Sequence, residues 1–336
     1  MTQPKIRVKT FVAAKTFLVA IVLLTATACG SGGSGDEGSS GAPNIGSITV
    51  GVGPDASFAS LVAAVNKGFF KKHGIDAKMK VFSSGGDASN ATSTGEIDVT
   101  TAGQFAGMGA AANGAKINVL ASAEYATKQM GIVADKSIKS PSDLEGRTVA
   151  MQEASTSVYF WDIYKKHYNL KNVKVKMVGT DQTIAAFAKG QMDAYVSWQP
   201  NLSRGVDTVS GAHVLAYSGD DGLMNLYALL MSGQKLANDP KLAEAMMASL
   251  VEASAWCEAN RDELTDIMVK QFKAPEDLMK SNVAVQTYKM SLDADVMKEL
   301  QRVADFIDET MHIKMDMGKL VISQPLKDVD PSSVAG

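Results

Sequence analysis

The chain has 336 residues, 46% of them hydrophobic, with 33 Lys plus Arg, 36 Asp plus Glu and a net charge of -3. That length suits two lobes better than one compact domain, and the apolar content excludes global disorder. Five Arg against 28 Lys, with no concentrated basic stretch, excludes a nucleic-acid partner, and one apolar run near the N-terminus excludes a multi-span membrane protein.

Lys5, Arg7, Lys9 and Lys15 lead into an apolar stretch from Phe17 to Leu24, which small residues continue to Ala28. About twelve residues at a rise of about 1.5 Å reach only ~18 Å, short of a ~30 Å bilayer core. Residues 1–28 therefore read as a secretory signal, not a spanning helix. The segment ends Ala26-Thr27-Ala28-Cys29-Gly30, which resembles a bacterial lipobox. That resemblance implies a lipoprotein signal peptide, with a diacylglycerol thioether on Cys29, although Ala26 stands where Leu is usual. The other reading is plain cleavage at Ala-x-Ala. Residues 29–46 are nearly all Gly, Ser, Asp, Glu, Ala, Pro and Asn, too polar to order themselves, so they form a flexible tether. Losing the signal takes the net charge from -3 to -7, leaving an acidic body that an anionic membrane surface does not attract. With Cys29 lipidated, Cys257 has no disulfide partner. Beside Trp256 on an apolar helical stripe, it reads as a buried thiol and not a nucleophile. His73, His167, His213 and His312 are scattered without metal-ligand spacing, so no metal and no cofactor are expected.

From residue 47 the pattern becomes strand and helix in alternation. Residues 47–52 alternate as a strand, broken at Gly53-Pro54-Asp55. Phe58, Leu61, Val62, Val65 and Phe69 then share one helical face, with Phe69 and Phe70 as core anchors and Gly74 as the stop. A strand follows at 75–82, a glycine turn at 83–87, a small-residue helix to about 94, a strand at 97–101, a helix over 102–113 and a strand at 117–121. The second half repeats the scheme, with strands at 131–134, 148–151, 173–178 and 194–196 and helices near 155–168 and 180–189. Such alternation predicts parallel βαβ units. Gly95-Glu96-Ile97-Asp98-Val99 is echoed by Gly190-Gln191-Met192-Asp193-Ala194, each a helix-ending glycine followed at once by a strand. The last hundred residues predict helices, one opened by Asp239-Pro240 and another near Asp293, both with core-facing stripes.

These residues carry a family resemblance. Asn66-Lys67-Gly68-Phe69-Phe70-Lys71-Lys72-His73-Gly74-Ile75-Asp76 resembles a segment of the ABC-importer solute-binding proteins for nitrate, sulfonates, taurine and pyrimidine precursors. Ser83-Ser84-Gly85, the two echoed units, the stretch from Ser140 to Ala150, and Trp198-Gln199-Pro200 match in the same order, so the likeness covers roughly 47–310. It implies an α/β protein of the type II periplasmic-binding-protein fold: two α/β lobes joined by two crossover strands, with a helical C-terminal segment. Lobe I would be 47–126 plus 222–325, and lobe II 127–221.

In open α/β sheets ligands sit outside the carboxyl ends of strands, where helix N-termini present unpaired N–H groups. The candidate ligand residues are therefore Asp55, Ser57 and Phe58; Ser84, Gly85 and Gly86; Gln104 and Phe105; and Glu124 and Tyr125 at the first crossover. The second half adds Ser155, Thr156 and Ser157, then Tyr159, Asp181, Trp198 and Gln199. Ser57, Ser155 and Asp181 serve equally well as helix caps. Asp55, Asp87, Glu124, Glu153 and Asp181 lie in these loops with no Arg or Lys. A small inorganic anion calls for a fixed cation or bidentate Arg. The inventory instead predicts an organic solute with a cationic or donor-rich part, any anionic end being held by helix N-termini and serine hydroxyls. The resemblance implies an exported binder, lipid-anchored to the extracytoplasmic face of the bacterial membrane, which delivers a sulfonate- or taurine-like, amine-bearing or heteroaromatic solute to an ABC permease and its ATPase. A monomer without enzymatic activity is expected. The alternatives are a sensing lipoprotein that presents its solute to a receptor, and a pyrimidine-precursor enzyme, whose cysteine-rich motif this chain lacks.

Overall fold

The computed structural model describes residues 43–335; the signal, Cys29 and the tether up to residue 42 lie outside the described residues, as does the side chain of Asp181. The described residues begin just ahead of the expected strand. Ile45 donates its N–H to the Gly74 carbonyl at 2.9 Å, and β1 runs over Gly46–Val52 with Ile48, Val50 and Val52 buried. One turn at Ala56–Phe58 leads into α1 (Ala59–Asn66). The single helix expected to reach Gly74 is two pieces, because Gly68 adopts a φ of +76° and resets the chain for a short turn at Phe69–Lys72. Phe70 is buried and Phe69 packs on Trp256 with ring centroids 6.5 Å apart, so both anchor the core.

Strand β2 (Ile75–Val81) pairs with β1 in parallel along its whole length. Helix α2 (Gly85–Ser93) starts inside the segment expected as a glycine turn, because Ser84 caps it through the Asp87 N–H. Then come β3 (Val99–Gly103), α3 (Gln104–Ala112) and β4 (Asn118–Ala126). The chain continues through β5 (Met130–Ala134), β6 (Thr148–Met151), α4 (Thr156–His167), β7 (Lys174–Met177), α5 (Thr180–Ala188) and β8 (Ala194–Trp198). It returns by way of α6 (Asn201–Thr208), β9 (His213–Tyr217) and β10 (Leu226–Ser232), then α7 (Pro240–Ala259), β11 (Gln286–Ser291) and α8 (Ala294–Met311). One sheet has the order β11-β4-β10-β3-β1-β2 and the other β7-β6-β8-β5-β9.

Both sheets are mixed: the expected parallel pairs are present, and antiparallel strands adjoin them. β1–β2, β1–β3, β6–β7 and β6–β8 are parallel, whereas β10 runs antiparallel to β3 and β4, and β5 antiparallel to β8 and β9. The reason is connectivity. The chain leaves the first sheet along β4 and re-enters beside it along β10, so the two must point opposite ways. Two passages join the sheets, at 127–129 and 218–225, and they touch: the Gly219 N–H donates to the Thr127 carbonyl at 2.8 Å. Strands β9, β10 and β11 and helix α6 were not expected. β11 interrupts the C-terminal region that read as wholly helical. Its Gln286, Tyr288 and Met290 are buried with period two, a pattern realised only by pairing to the edge of β4.

The echoed motif does the same structural work in both sheets. Gly95 and Gly190 take φ of +76° and +65°. The Asp98 carboxylate accepts the Thr49 N–H at 2.8 Å and the Asp98 N–H donates to the Thr49 carbonyl at 2.8 Å. Asp193 accepts from Thr148 at 2.7 Å and donates back to it at 2.9 Å. Each aspartate thus staples itself to a neighbouring parallel strand, β1 at Thr49 and β6 at Thr148, and each is flanked by one cation, Lys235 at 3.2 Å and Arg147 at 3.4 Å. The C-terminal helices are capped as read: Asp239 accepts the Leu242 N–H and Asp293 the Val296 N–H, both at 3.1 Å. Leu242, Met246, Leu250, Leu300, Val303 and Ile307 on their stripes are buried, each side chain contributing about 1.5–3 kcal/mol. Cys257 is fully buried on the same face.

Candidate functional site

A cavity of about 70 Å³ lies where the two sheets face each other, and its walls are the segments that follow strand ends. Asp55, Ser57 and Phe58 come from the turn after β1; Ser84, Gly85 and Gly86 from the start of α2; Ala102, Gly103 and Ala106 from the β3–α3 junction. The second sheet supplies Gln152, Ala154, Ser155 and Thr156 after β6, and Trp198 at the end of β8. Gln129 and Met130 enter with the outgoing passage, and Leu226 and Ala228 with the returning strand β10.

Helix starts converge here. Gly85 lets α2 begin against β3, since a Cβ there would stand 2.8 Å from the Ala102 Cα. Across the cavity, α4 opens behind Ser155, which donates its hydroxyl to the Gln152 carbonyl at 2.7 Å. The two sheets meet at Thr156, whose hydroxyl accepts the Ala106 N–H at 3.3 Å, and a Cβ on Gly103 would lie 2.5 Å from that oxygen. The first turns of α2, α3 and α4 therefore bring backbone N–H groups and positive dipole ends to one small volume, with the Asp87 N–H taken by Ser84 and the Ala106 N–H by Thr156. Against them stands one carboxylate. Asp55 accepts the Ser57 N–H at 2.9 Å and the Ser57 hydroxyl, and burial pushes its pKa up to about 6 despite those bonds. It is the only ionisable side chain among the described wall residues, and no Lys or Arg joins it. Gln129 adds an acceptor: its buried Oε1 has no protein partner, while its Nε2 faces the Gln199 carbonyl at 3.5 Å. Among the described residues no three His, Cys, Asp or Glu are grouped to hold a metal.

Nine expected residues thus share one cavity: Asp55, Ser57, Phe58, Ser84, Gly85, Gly86, Ser155, Thr156 and Trp198. The structure places others elsewhere, for identifiable reasons. Gln104 is fully buried and clamps the return passage, donating to the Asn225 carbonyl at 2.9 Å and accepting the Tyr227 N–H at 3.0 Å. Phe105 and Tyr159 form an aromatic cluster with Phe306, with centroids 5.3 and 5.1 Å from that ring, and the Tyr159 hydroxyl donates to Glu299 at 3.0 Å. Both rings cement α3, α4 and α8 together. Glu124 is buried opposite Tyr288 of β11; burial and the charge of Asp55 hold its carboxyl well above the usual range. Tyr125, the next residue along β4, falls on the opposite face, exposed, with its ring 5.9 Å from Tyr227. Ser157 is buried and paired with the Ser155 hydroxyl. Gln199 caps α6, accepting the Ser203 N–H at 3.2 Å and its hydroxyl at 3.0 Å. Asp181 lies in the first turn of α5, and its side chain is outside the described residues. Gln129 and Gln152 were overlooked. Gln152 directly follows β6, so the strand-end rule reaches it; no local signal marks Gln129, which the sheet-to-sheet passage delivers.

Comparison with known proteins agrees with this architecture. A protein of Brucella abortus (strain 2308), provisionally named a binding protein, is 27% identical over 253 residues, which cover 72% of this chain and 78% of the relative. The taurine-binding periplasmic protein of Escherichia coli (strain K12) is 26% identical over 224 residues, covering 65% of this chain and 67% of the relative. The alkanesulfonate-binding protein SsuA from Xanthomonas axonopodis pv. citri, solved bound to MOPS, superposes with a TM-score of 0.72 at 20% identity, over 84% of this chain and all of that one. The chain therefore has the α/β fold of periplasmic binding proteins. Residues 55–264, more than half of the sequence, match the NMT1/THI5-like family, and the chain belongs to it.

Proposed function

We propose that this protein is the extracytoplasmic solute-binding component of an ABC importer, and that its two sheets are the cores of two lobes, 47–126 plus 222–325 and 127–221, which close on a small organic solute. The carrying observation is the cavity whose walls come from both sheets, from the outgoing passage at Gln129 and from the returning strand β10. A solute touching both halves favours the closed arrangement by its differential affinity for it, and that closed arrangement is what a permease would read.

The wall chemistry points to an amine-bearing solute. A donor-rich or ammonium group belongs against Asp55 and the Gln129 Oε1. An acceptor or sulfonate group belongs against the first turns of α2 and α4, where N–H groups favour an anion without a fixed cation. A taurine-like zwitterion satisfies both ends, in keeping with the name of the Escherichia coli relative. Catalysis is not part of the reading: the described cavity wall holds no His or Cys, its Ser57 hydroxyl is tied to Asp55 within one turn, and the thiol of Cys257 is buried in α7 and pushed up in pKa by that burial. The sequence before residue 43 supports export and anchoring through Cys29, which radiolabelled palmitate incorporation, lost in Cys29→Ser, would test.

The decisive experiment is mass spectrometry of small molecules released from the purified protein, followed by calorimetry with the compound found and with taurine. Retention of an organic amine, with compaction in solution scattering on rebinding, supports the reading. Tight nitrate or sulfate binding with no organic ligand refutes it.

A further inference from the structure

The chamber beneath Asp55 is small, about 70 Å³, but it is not isolated. Ser84, Gly86, Ala106, Gln152 and Ala154 line it and also line a second, mostly apolar groove of about 740 Å³ running outward between α2, α3 and α4. The two spaces lie side by side on those five residues. The inner one suits only a head group; drug-sized ligands occupy pockets of about 300–1,000 Å³. The groove has that larger size. Its floor is the small-residue face of α3, including Gly109 and Ala110, and its sides carry Phe105, Val158, Met177 and Met311. Its ionisable lining residues are Asp87, which accepts the Ser83 and Ser84 hydroxyls at 2.7 Å, and Glu153. Inner chamber and groove together hold three acids and no base among the described wall residues.

We infer that the solute is elongated and amphiphilic: a compact amine head enters the inner chamber against Asp55, and an uncharged alkyl or aryl body lies in the outer groove along α3. This inference rests on the binding reading above and narrows the solute class within it. An anionic body is disfavoured, because the groove offers it two carboxylates and no cation to balance them. An apolar body gains with every methylene that leaves water, about fourfold in affinity each.

The test uses the mature protein and n-alkylamines from ethylamine to octylamine, titrated by calorimetry. Affinity is expected to climb with chain length once the chain reaches the groove. Gly109→Leu fills the floor, and a Cβ fits there in ordinary contact, its nearest neighbour being the Phe105 ring at 3.8 Å. That variant should lose tenfold or more of octylamine affinity and leave ethylamine unchanged; Ala110→Phe serves as the second variant should Gly109→Leu fail to fold. Asp55→Asn should weaken every chain length alike. Affinity independent of chain length, or equal losses for ethylamine and octylamine in both groove variants, overturns the inference. If no amine binds while mass spectrometry still finds a retained compact solute, this inference falls and the binding reading stands. If no amine binds and nothing is retained, both fall.

Discussion

Asp55→Asn separates what the site needs from what the fold needs. Burial raises the Asp55 carboxyl from 3.8 to about 6, so the native state holds a proton that the unfolded chain has released. Between those two values the folded form binds more protons than the unfolded one, and stability falls as pH rises. The stabilisation from the protonated form is full below pH 4 and gone above about pH 6. A difference of about two pH units at ~1.4 kcal/mol each amounts to about 3 kcal/mol. Asparagine keeps the acceptor for the Ser57 N–H, bonded at 2.9 Å in the native chain, and carries no charge to desolvate. The ligand-free variant should therefore be more stable than the native protein at pH 7.5, by up to about 3 kcal/mol, and equal to it near pH 4. Urea unfolding at several pH values measures this directly, and because the charge of Asp55 helps hold Glu124 up, the difference between the two proteins includes the relief of Glu124. The same variant should lose amine binding, and in the native protein amine affinity should rise from pH 5 to pH 7 as Asp55 ionises. If the variant were less stable at pH 7.5, or the gap between the two proteins did not change with pH, buried ionised Asp55 would not be the strained group described here.

Other expectations follow from single contacts. Asp98→Ala and Asp193→Ala each remove a carboxylate bonded to a strand N–H and should each cost about 1.5–3 kcal/mol in urea titrations, with the Asn variants nearer to native. Gly103→Ala should wedge the two sheets apart at Thr156, weakening solute binding and raising the radius of gyration of the liganded protein. Adding Thr156→Ala, which deletes the clashing oxygen, should restore both; failure of that rescue would mean the clash is relieved elsewhere. Cys257, fully buried, should resist thiol reagents in the native protein and react at once in denaturant; rapid native labelling would contradict its burial.

What could be read in the residues was what neighbours in sequence decide. The period-two runs of β1 and β2, the caps at Asp239 and Asp293, and the glycines ending α2 and α5 depend on dihedral preference and local hydrogen bonds, so they stand where the sequence indicates. The strand-end rule located much of the cavity for the same reason, because a helix start after a strand is a local event. Facing is not local. Glu124 and Tyr125 are adjacent on one strand, yet one is buried against β11 and the other exposed, and only the register of β4 with β10 and β11 assigns the faces. Gln104, Phe105 and Tyr159 turned inward because α8 arrived to cover them, an element almost two hundred residues away from α3. β10 and β11 likewise exist through partners brought by the chain's return, and the Gln129 side chain reaches the cavity only because two sheets come together around it. Pairing and packing over such separations depend on the summed burial of the whole fold, which no window of the sequence contains.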